Sequence, residues 1–418
     1  MDARMVSRRG VLAAAAAAAA AGLTGCDALG DSSGGRGSGM PELHDRPGDR
    51  GSAANDGGEK APAPEPSAAE QALARLTLEQ KVAQLFIVTP EQLTGASRAT
   101  VAGSMTRDAL VQIPVGGLCY FSQNIAGNQQ LRDLLAGTRE LAMSSGAGIA
   151  PFLTVDEEGG PLVARVANSG CFDVPRYPNM AEIGASRDAA RAAEVGTTIG
   201  SYLHDIGFNV DFAPDADVLT NPSNPVIGAR SFGNDPDLVA AMVAAEVEAM
   251  LKTGTLPCIK HFPGHGDTAG DSHTGAVYTS RTRAEIEAAE LKPFIAGIDV
   301  GCPLVMVGHI ETPNFAADGL PASLSPVMMT DVLRGQLGFK GAIVSDSFAM
   351  GAITQNYTPA DAAVRYFQAG GDILLMPVDL RASYDGVLAA VRDGRLTEER
   401  INESVLRVLT AKETAGLL

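Results

Sequence analysis

Three of the chain's six histidines, His261, His265 and His273, fall within one short stretch. It reads Lys260-His261-Phe262-Pro263-Gly264-His265-Gly266-Asp267-Thr268-Ala269-Gly270-Asp271-Ser272-His273 and comes after the apolar run Leu256-Pro257-Cys258-Ile259. The apolar run has the character of a buried strand, and the stretch itself is too rich in glycine for a helix and too polar for a core. Two chemistries could use such a cluster. The i, i+4 spacing of His261 and His265 would chelate zinc from one face of a helix. Pro263, Gly264 and Gly266 oppose a helix there, and no glutamate follows His261 as in a helical zinc-protease motif. No metal and no other cofactor is therefore expected. A purely structural loop seldom needs so many titratable groups, which leaves a catalytic or binding site where a strand becomes a loop.

Elsewhere in the chain, further charged and imidazole groups stand after other apolar runs. Asp156-Glu157-Glu158-Gly159-Gly160 closes one, Asp215, Asp217 and later Arg230 come after another, and Gly308-His309 and Ser345-Asp346 close two more. The runs are eight: Val82–Val88, Gly117–Phe121, Pro151–Val155, Asn209–Ala213, Leu256–Ile259, Leu304–Val307, Ala342–Val344 and Ile373–Met376. Amphipathic segments such as Asp188–His204, Pro236–Lys252, Arg283–Ile298 and Pro359–Ala369 lie between them. Alternating strand and helix implies a parallel sheet, and eight repeats imply an α/β fold with a single (β/α)8 TIM-type barrel over residues 69–418. No Gly-x-Gly-x-x-Gly follows the first run, against a dinucleotide fold. In such barrels the chemistry sits at the C-terminal ends of the strands. Five successive strands delivering polar groups to one rim is hard to read as packing.

The string KHFPGHGDTAGDSH closely resembles the signature of the β-N-acetylhexosaminidase branch of glycoside hydrolase family 3. LTLEQK at 76–81, GGLCYFSQN at 116–124, VDEEGG at 155–160 and NVDFAPDADV at 209–218 resemble further blocks of that family. So do ARSFG at 229–233, PASLS at 321–325 and LGFKGAIVSDSFAM at 337–350. The resemblance implies a retaining β-N-acetylglucosaminidase with Asp346 as nucleophile, whose structural alternative is a helix N-cap. It also implies a His273–Asp271 acid/base. Imidazole titrates near neutrality, and a carboxylate two residues away can take its other N–H. Asp156, Arg230, Lys260 and His261 would bind the sugar, with Arg165 and His309 lining the site and His265 and Asp267 shaping the loop. The chain departs from the pattern in three places. One extra residue precedes Arg165, Ser347 replaces a frequent second aspartate, and Val277 replaces a usual proline. The short stretch after the eighth run favours a compact enzyme acting as a monomer on cell-wall or chitin-derived sugars. A phosphorylase on the same scaffold and a non-catalytic sugar-binding lipoprotein are the competing readings.

Ser7-Arg8-Arg9-Gly10 before an alanine-rich run reads as an export signal over residues 1–25. The run is short of the roughly 20 residues that span a bilayer. Leu23-Thr24-Gly25-Cys26 matches a bacterial lipobox, so Cys26 is expected to carry lipid on the outer face of the cell membrane. Residues 26–68, rich in Gly, Ser, Pro, Ala and Asp, read as a disordered tether with a reach of about 35 Å. The net charge is −17. Loss of residues 1–25, which hold Arg4, Arg8, Arg9 and Asp2, leaves −19. That excludes nucleic acid as a natural partner and suits a neutral carbohydrate, with membrane contact only through the lipid. Cys119 and Cys258 sit in apolar runs and read as buried thiols. Cys171 and Cys302 form no CxxC pair.

Overall fold

The computed structural model describes residues 65–418; the export signal, Cys26 and the tether as far as residue 64 lie outside them. Eight strands form one parallel sheet: β1 Phe86–Val88, β2 Gly117–Cys119, β3 Phe152–Val155, β4 Val210–Asp211, β5 Leu256–Phe262, β6 Leu304–Val307, β7 Ala342–Ser345 and β8 Leu374–Leu375. Neighbours in sequence are neighbours in space, and β1 pairs with β8 as well as β2. A bridge between Val344 and Ile373 joins β7 to β8 and closes the ring. The closed (β/α)8 barrel expected from eight recurring runs is therefore the observed fold. The eight strands are buried throughout, as parallel sheets covered by helices must be.

Local chemistry sets the element ends. Ser67 and Glu70 form a reciprocal cap that starts a helix at Ala68, one residue inside the stretch read as tether. Thr77 and Gln80 do the same for Leu78–Ala83. Such boxes satisfy N–H groups that a helix leaves open, and this one claims Val82 and Ala83 from the expected first strand. Asp188 and Asp235 cap the two long helices Ala189–Ile206 and Pro236–Leu251 beside β4. The segment expected as one helix over Arg283–Ile298 is two, Arg283–Ala288 and Leu291–Asp299. Pro293 would fall in the interior of a continuous helix, where it lacks an N–H and clashes with the preceding turn. Among the described residues no helix is long and apolar enough to cross a membrane. Cys119, Cys171, Cys258 and Cys302 are unpaired, all buried except the half-buried Cys171.

β5 does most to shape the mouth of the barrel. It runs three residues beyond the expected Ile259, so Lys260 and His261 belong to the strand and not to the loop. Adjacent residues of a regular strand face opposite sides. The register of β5 against β6 shifts between Ile259 and Phe262, and this bulge lets both Lys260 and His261 face one cavity.

Candidate active site

At the C-terminal mouth of the barrel lies a cavity of about 410 Å³, within the range of small-ligand pockets. Asp156, Arg165, Arg230, Lys260, His261, His273 and Asp346 all line it, carried by several different strands or by the loops after them. A larger, more open depression of about 580 Å³ lies beside the Ser104–Gln112 helix, but it gathers no imidazole and no buried charge.

The floor is an ion-pair network centred on Glu158, a residue the sequence left unassigned. Arg230 donates to Glu158 through Nε (2.8 Å) and Nη2 (2.7 Å). Lys260 Nζ stands 2.6 Å from the same carboxylate and 2.8 Å from Asp156. Glu158 is only 2% exposed. Burial raises its pKa, but Arg230 and Lys260 outweigh burial and hold it well below the usual carboxylate range. Burial would in turn lower Lys260, but Asp156 and Glu158 together drive it up. Glu157, one residue away, has a different task. It accepts from the backbone of Val166 and Ala167 and from the Tyr202 hydroxyl, anchoring the hairpin Glu157–Gly159/Val163–Ala164. That hairpin, irregular between Glu157 and Gly159, carries Arg165 to the cavity despite the extra residue before it. The Arg165 guanidinium sits 5.6 Å above the Phe121 ring, and its Nε has no partner.

His261 is oriented from behind. Its Nδ1 lies 2.8 Å from Asp217; an ionised carboxylate only accepts, so Nδ1 carries the proton and Nε2 is left free. Asp217 also accepts from the backbone N–H of His265 at 2.5 Å. Burial pushes Asp217 up, but His261 and His265 win and bring it down to about 2. Ligand-type atoms of Asp215, Asp217 and His261 converge within 4.8 Å of one another, but both oxygens of Asp217 are engaged by His261 and His265. The trio therefore serves as a support for His261.

Asp346 ends the run after β7. Its Oδ1 accepts from the Ser347 N–H at 2.7 Å. Burial raises its pKa, but His261, His309, that N–H and Lys260 together lower it below the ordinary value, so the group is ionised at neutral pH. His309 does not line the cavity as expected. It is 1% exposed, its Nε2 donating to the Ser347 carbonyl (2.9 Å) and its Nδ1 accepting from Ser323 (2.7 Å). It steadies the residue that holds Asp346.

His273 sits on the loop after β5, its ring largely exposed. Asp271 Oδ1 accepts both the His273 backbone N–H (2.9 Å) and Nδ1–H (2.8 Å), which leaves Nε2 free. Burial raises Asp271, but the two His273 donors together outweigh it and keep it anionic. Asp271 itself stands behind His273, outside the cavity wall. His265 braces the loop, with Nδ1 2.6 Å from Thr268 Oγ1 and Nε2 3.2 Å from Ser272 Oγ. Val277 ends the loop in a short strand paired with Ile310.

A closed barrel whose mouth holds an ionised carboxylate, a carboxylate-backed imidazole and balanced charges around a sugar-sized cavity defines a hydrolase-type barrel enzyme. The Glycosyl hydrolase family 3 N terminal domain matches residues 77–411, and the chain belongs to that family. It is similar to beta-hexosaminidase A of Pseudoalteromonas piscicida, 34% identical over 71% of this chain and 53% of that protein. The chain thus spans about half the length of that relative. It is also similar to beta-hexosaminidase LpqI of Mycobacterium tuberculosis, at 33% identity over 73% of this chain and 82% of that one. A family 3 β-N-acetylglucosaminidase from Paenibacillus superposes with a TM-score of 0.76 at 36% identity, covering 82% of this chain and 63% of the other.

Proposed function

We propose that this protein is an exo-acting β-N-acetylglucosaminidase that cleaves terminal N-acetylglucosamine from cell-wall or chitin-derived sugars with retention of configuration. One observation carries the reading: Asp346 and His273, the latter with Nδ1 tied to Asp271, open onto the same cavity. In the first step the Asp346 carboxylate attacks the anomeric carbon and the glycosidic bond breaks. The imidazolium Nε2–H gives its proton to the departing oxygen. In the second step His273, now neutral, takes a proton from water, and that water displaces Asp346 from the sugar. Asp271 stabilises the imidazolium in both steps. Beside the His273–Asp271 pair, the cavity's carboxylates (Asp156, Glu158, Asp346) and its arginine and lysine cations (Arg165, Arg230, Lys260) are equal in number, which suits an uncharged sugar rich in hydroxyls. Asp156, Arg230, Lys260, His261 and the unpartnered Arg165 supply its donors and acceptors.

Asp346→Ala abolishes turnover of an aryl N-acetylglucosaminide, and NMR of the wild-type reaction shows the β-anomer forming first. An α-anomer as first product contradicts the mechanism. Formation of a glycosyl phosphate in place of free sugar when phosphate is added assigns the same site to phosphorolysis. The protein is further proposed to be exported and held to the membrane by lipid on Cys26. Cell fractionation tests this: Cys26→Ala moves the protein to the soluble fraction, and an unchanged membrane fraction refutes it.

A further inference from the structure

Three consecutive carbonyls bracket the imidazole of His273, and all three are bonded to one short turn. Ser272 O accepts from Ala352 N (3.2 Å), and His273 O accepts from Gly351 N (3.1 Å). Thr274 O accepts from the side-chain amide of Gln355 (2.9 Å). Gly351–Thr354 is the short helix that comes after Asp346. Its first N–H groups have no acceptor within the helix, and the loop supplies two.

The approach leaves no room for a side chain at position 351. A Cβ there would stand 2.8 Å from His273 O, 2.9 Å from the Thr274 carbonyl carbon and 3.0 Å from Gln355 Nε2. On the other side the loop is pegged inward by Ser272, which is 1% exposed and bonded to His265. The His273 ring, by contrast, is 67% exposed. The backbone on either side of the imidazole is clamped while the ring stays free to meet substrate. From β5 the loop is pinned as far as Thr268 by Asp217 and Asn224, and beyond that it reaches His273 through Gly270, a joint with little stiffness of its own. Through the turn, the same residue is tied directly to the segment that carries Asp346.

We propose that the Gly351–Gln355 turn is the cradle that sets the proton donor in register with the nucleophile. Gln355 acts in it as a positioning residue through Thr274. The proposal rests on His273 being the acid/base. Misplacing a proton donor costs most when the leaving group needs the proton, so the cradle acts on the rate for poor leaving groups.

The test compares kcat/KM on methyl and dinitrophenyl β-N-acetylglucosaminides. Gln355→Glu keeps the side chain's shape and removes its donor. It is expected to lose about fivefold on the methyl glycoside, the worth of one ordinary hydrogen bond, and less than about twofold on the dinitrophenyl one. Gln355→Lys, which retains a donor, recovers the rate on the methyl glycoside and abolishes the difference. Gly351→Ala, which pushes the loop away, shows a larger loss of the same kind. Thermal denaturation of the Gln355 variants is unchanged. Wild type and His273→Ala run alongside. If His273→Ala discriminates between the leaving groups but Gln355→Glu loses both alike or neither, the cradle is overturned and the acid/base assignment stands. If His273→Ala itself loses both alike, both readings fall.

Discussion

Glu158→Gln offers the sharpest view of how the cavity floor works. The substitution keeps the size of the side chain and removes one negative charge from a site that is 2% exposed. Arg230 loses its two-point partner, and Lys260 loses the nearer of its two carboxylates, keeping Asp156 at 2.8 Å. Arg230 is left with the Val226 carbonyl at 3.3 Å and Asp215 at 3.5 Å, but burial and the neighbouring Asp217 push Asp215 well above its usual pKa, so it is a poor substitute for the lost anion. Breaking a buried ion pair by removing one partner costs about 3–5 kcal/mol. The amide oxygen can still accept from one cation, so a loss of about 3 kcal/mol in unfolding free energy is expected. Both cations face the cavity, so kcat/KM on an aryl N-acetylglucosaminide should fall by about 100-fold, equivalent to about 2.7 kcal/mol. Denaturant unfolding and initial-rate kinetics measure the two effects, and Glu158→Asp, which keeps the charge, should recover part of both. A variant within about twofold of wild type in kcat/KM would refute the reasoning, because Arg230 and Lys260 would then need no anion beneath them.

Other outcomes concern groups further from the chemistry. His309→Ala frees the Ser347 carbonyl and should lower kcat by about tenfold with little change in KM; a KM effect alone would make His309 a binding group. Lys412 is fully buried, and burial lowers it to about 7. The unfolded chain binds more protons than the folded one between pH 7 and the ordinary lysine value, so stability rises with pH across that window. Lys412→Met should reduce that slope by about 1.4 kcal/mol per pH unit, read from melts across the window. Glu246 is the opposite case, with both oxygens unpartnered and burial raising it to about 8. Here the folded chain binds more protons, so stability falls as pH rises from the ordinary glutamate value through about 8. Glu246→Met should therefore stabilise the protein by about 3 kcal/mol at neutral pH and by little in acid; equal gains at both would count against a buried, proton-bearing carboxyl.

What the sequence made legible is what depends on local pattern. Eight apolar runs pointed to the barrel because strand burial writes itself into consecutive residues, and polar groups after those runs marked the rim. Glu158 stayed hidden because Glu157 and Glu158 look alike in sequence. Only contacts to Arg230, 72 residues away, and to Lys260 distinguish the ion-pair hub from its neighbour, which bonds backbone. His309 was expected in the cavity because it closes the sixth apolar run and the family resemblance places it there; its position behind Ser347 depends on its bond to Ser323. The extension of β5 was missed because Lys260 and His261 break the apolar run, and only pairing with β6 reveals the strand. Arg165 reached the cavity despite its altered spacing because a hairpin with an irregular register can absorb a residue. The docking of Gln355 on Thr274, across 81 residues, leaves no trace in local sequence at all.

The dependence of rate on leaving group in His273→Ala tests the central claim most directly. Across a series of aryl N-acetylglucosaminides, log kcat/KM of the variant should fall steeply as the leaving-group pKa rises, while the wild-type plot stays shallow. Added azide should trap the glycosyl group from Asp346 as the β-azide. Parallel plots for the two proteins would contradict the account, because the proton would then come from somewhere other than His273.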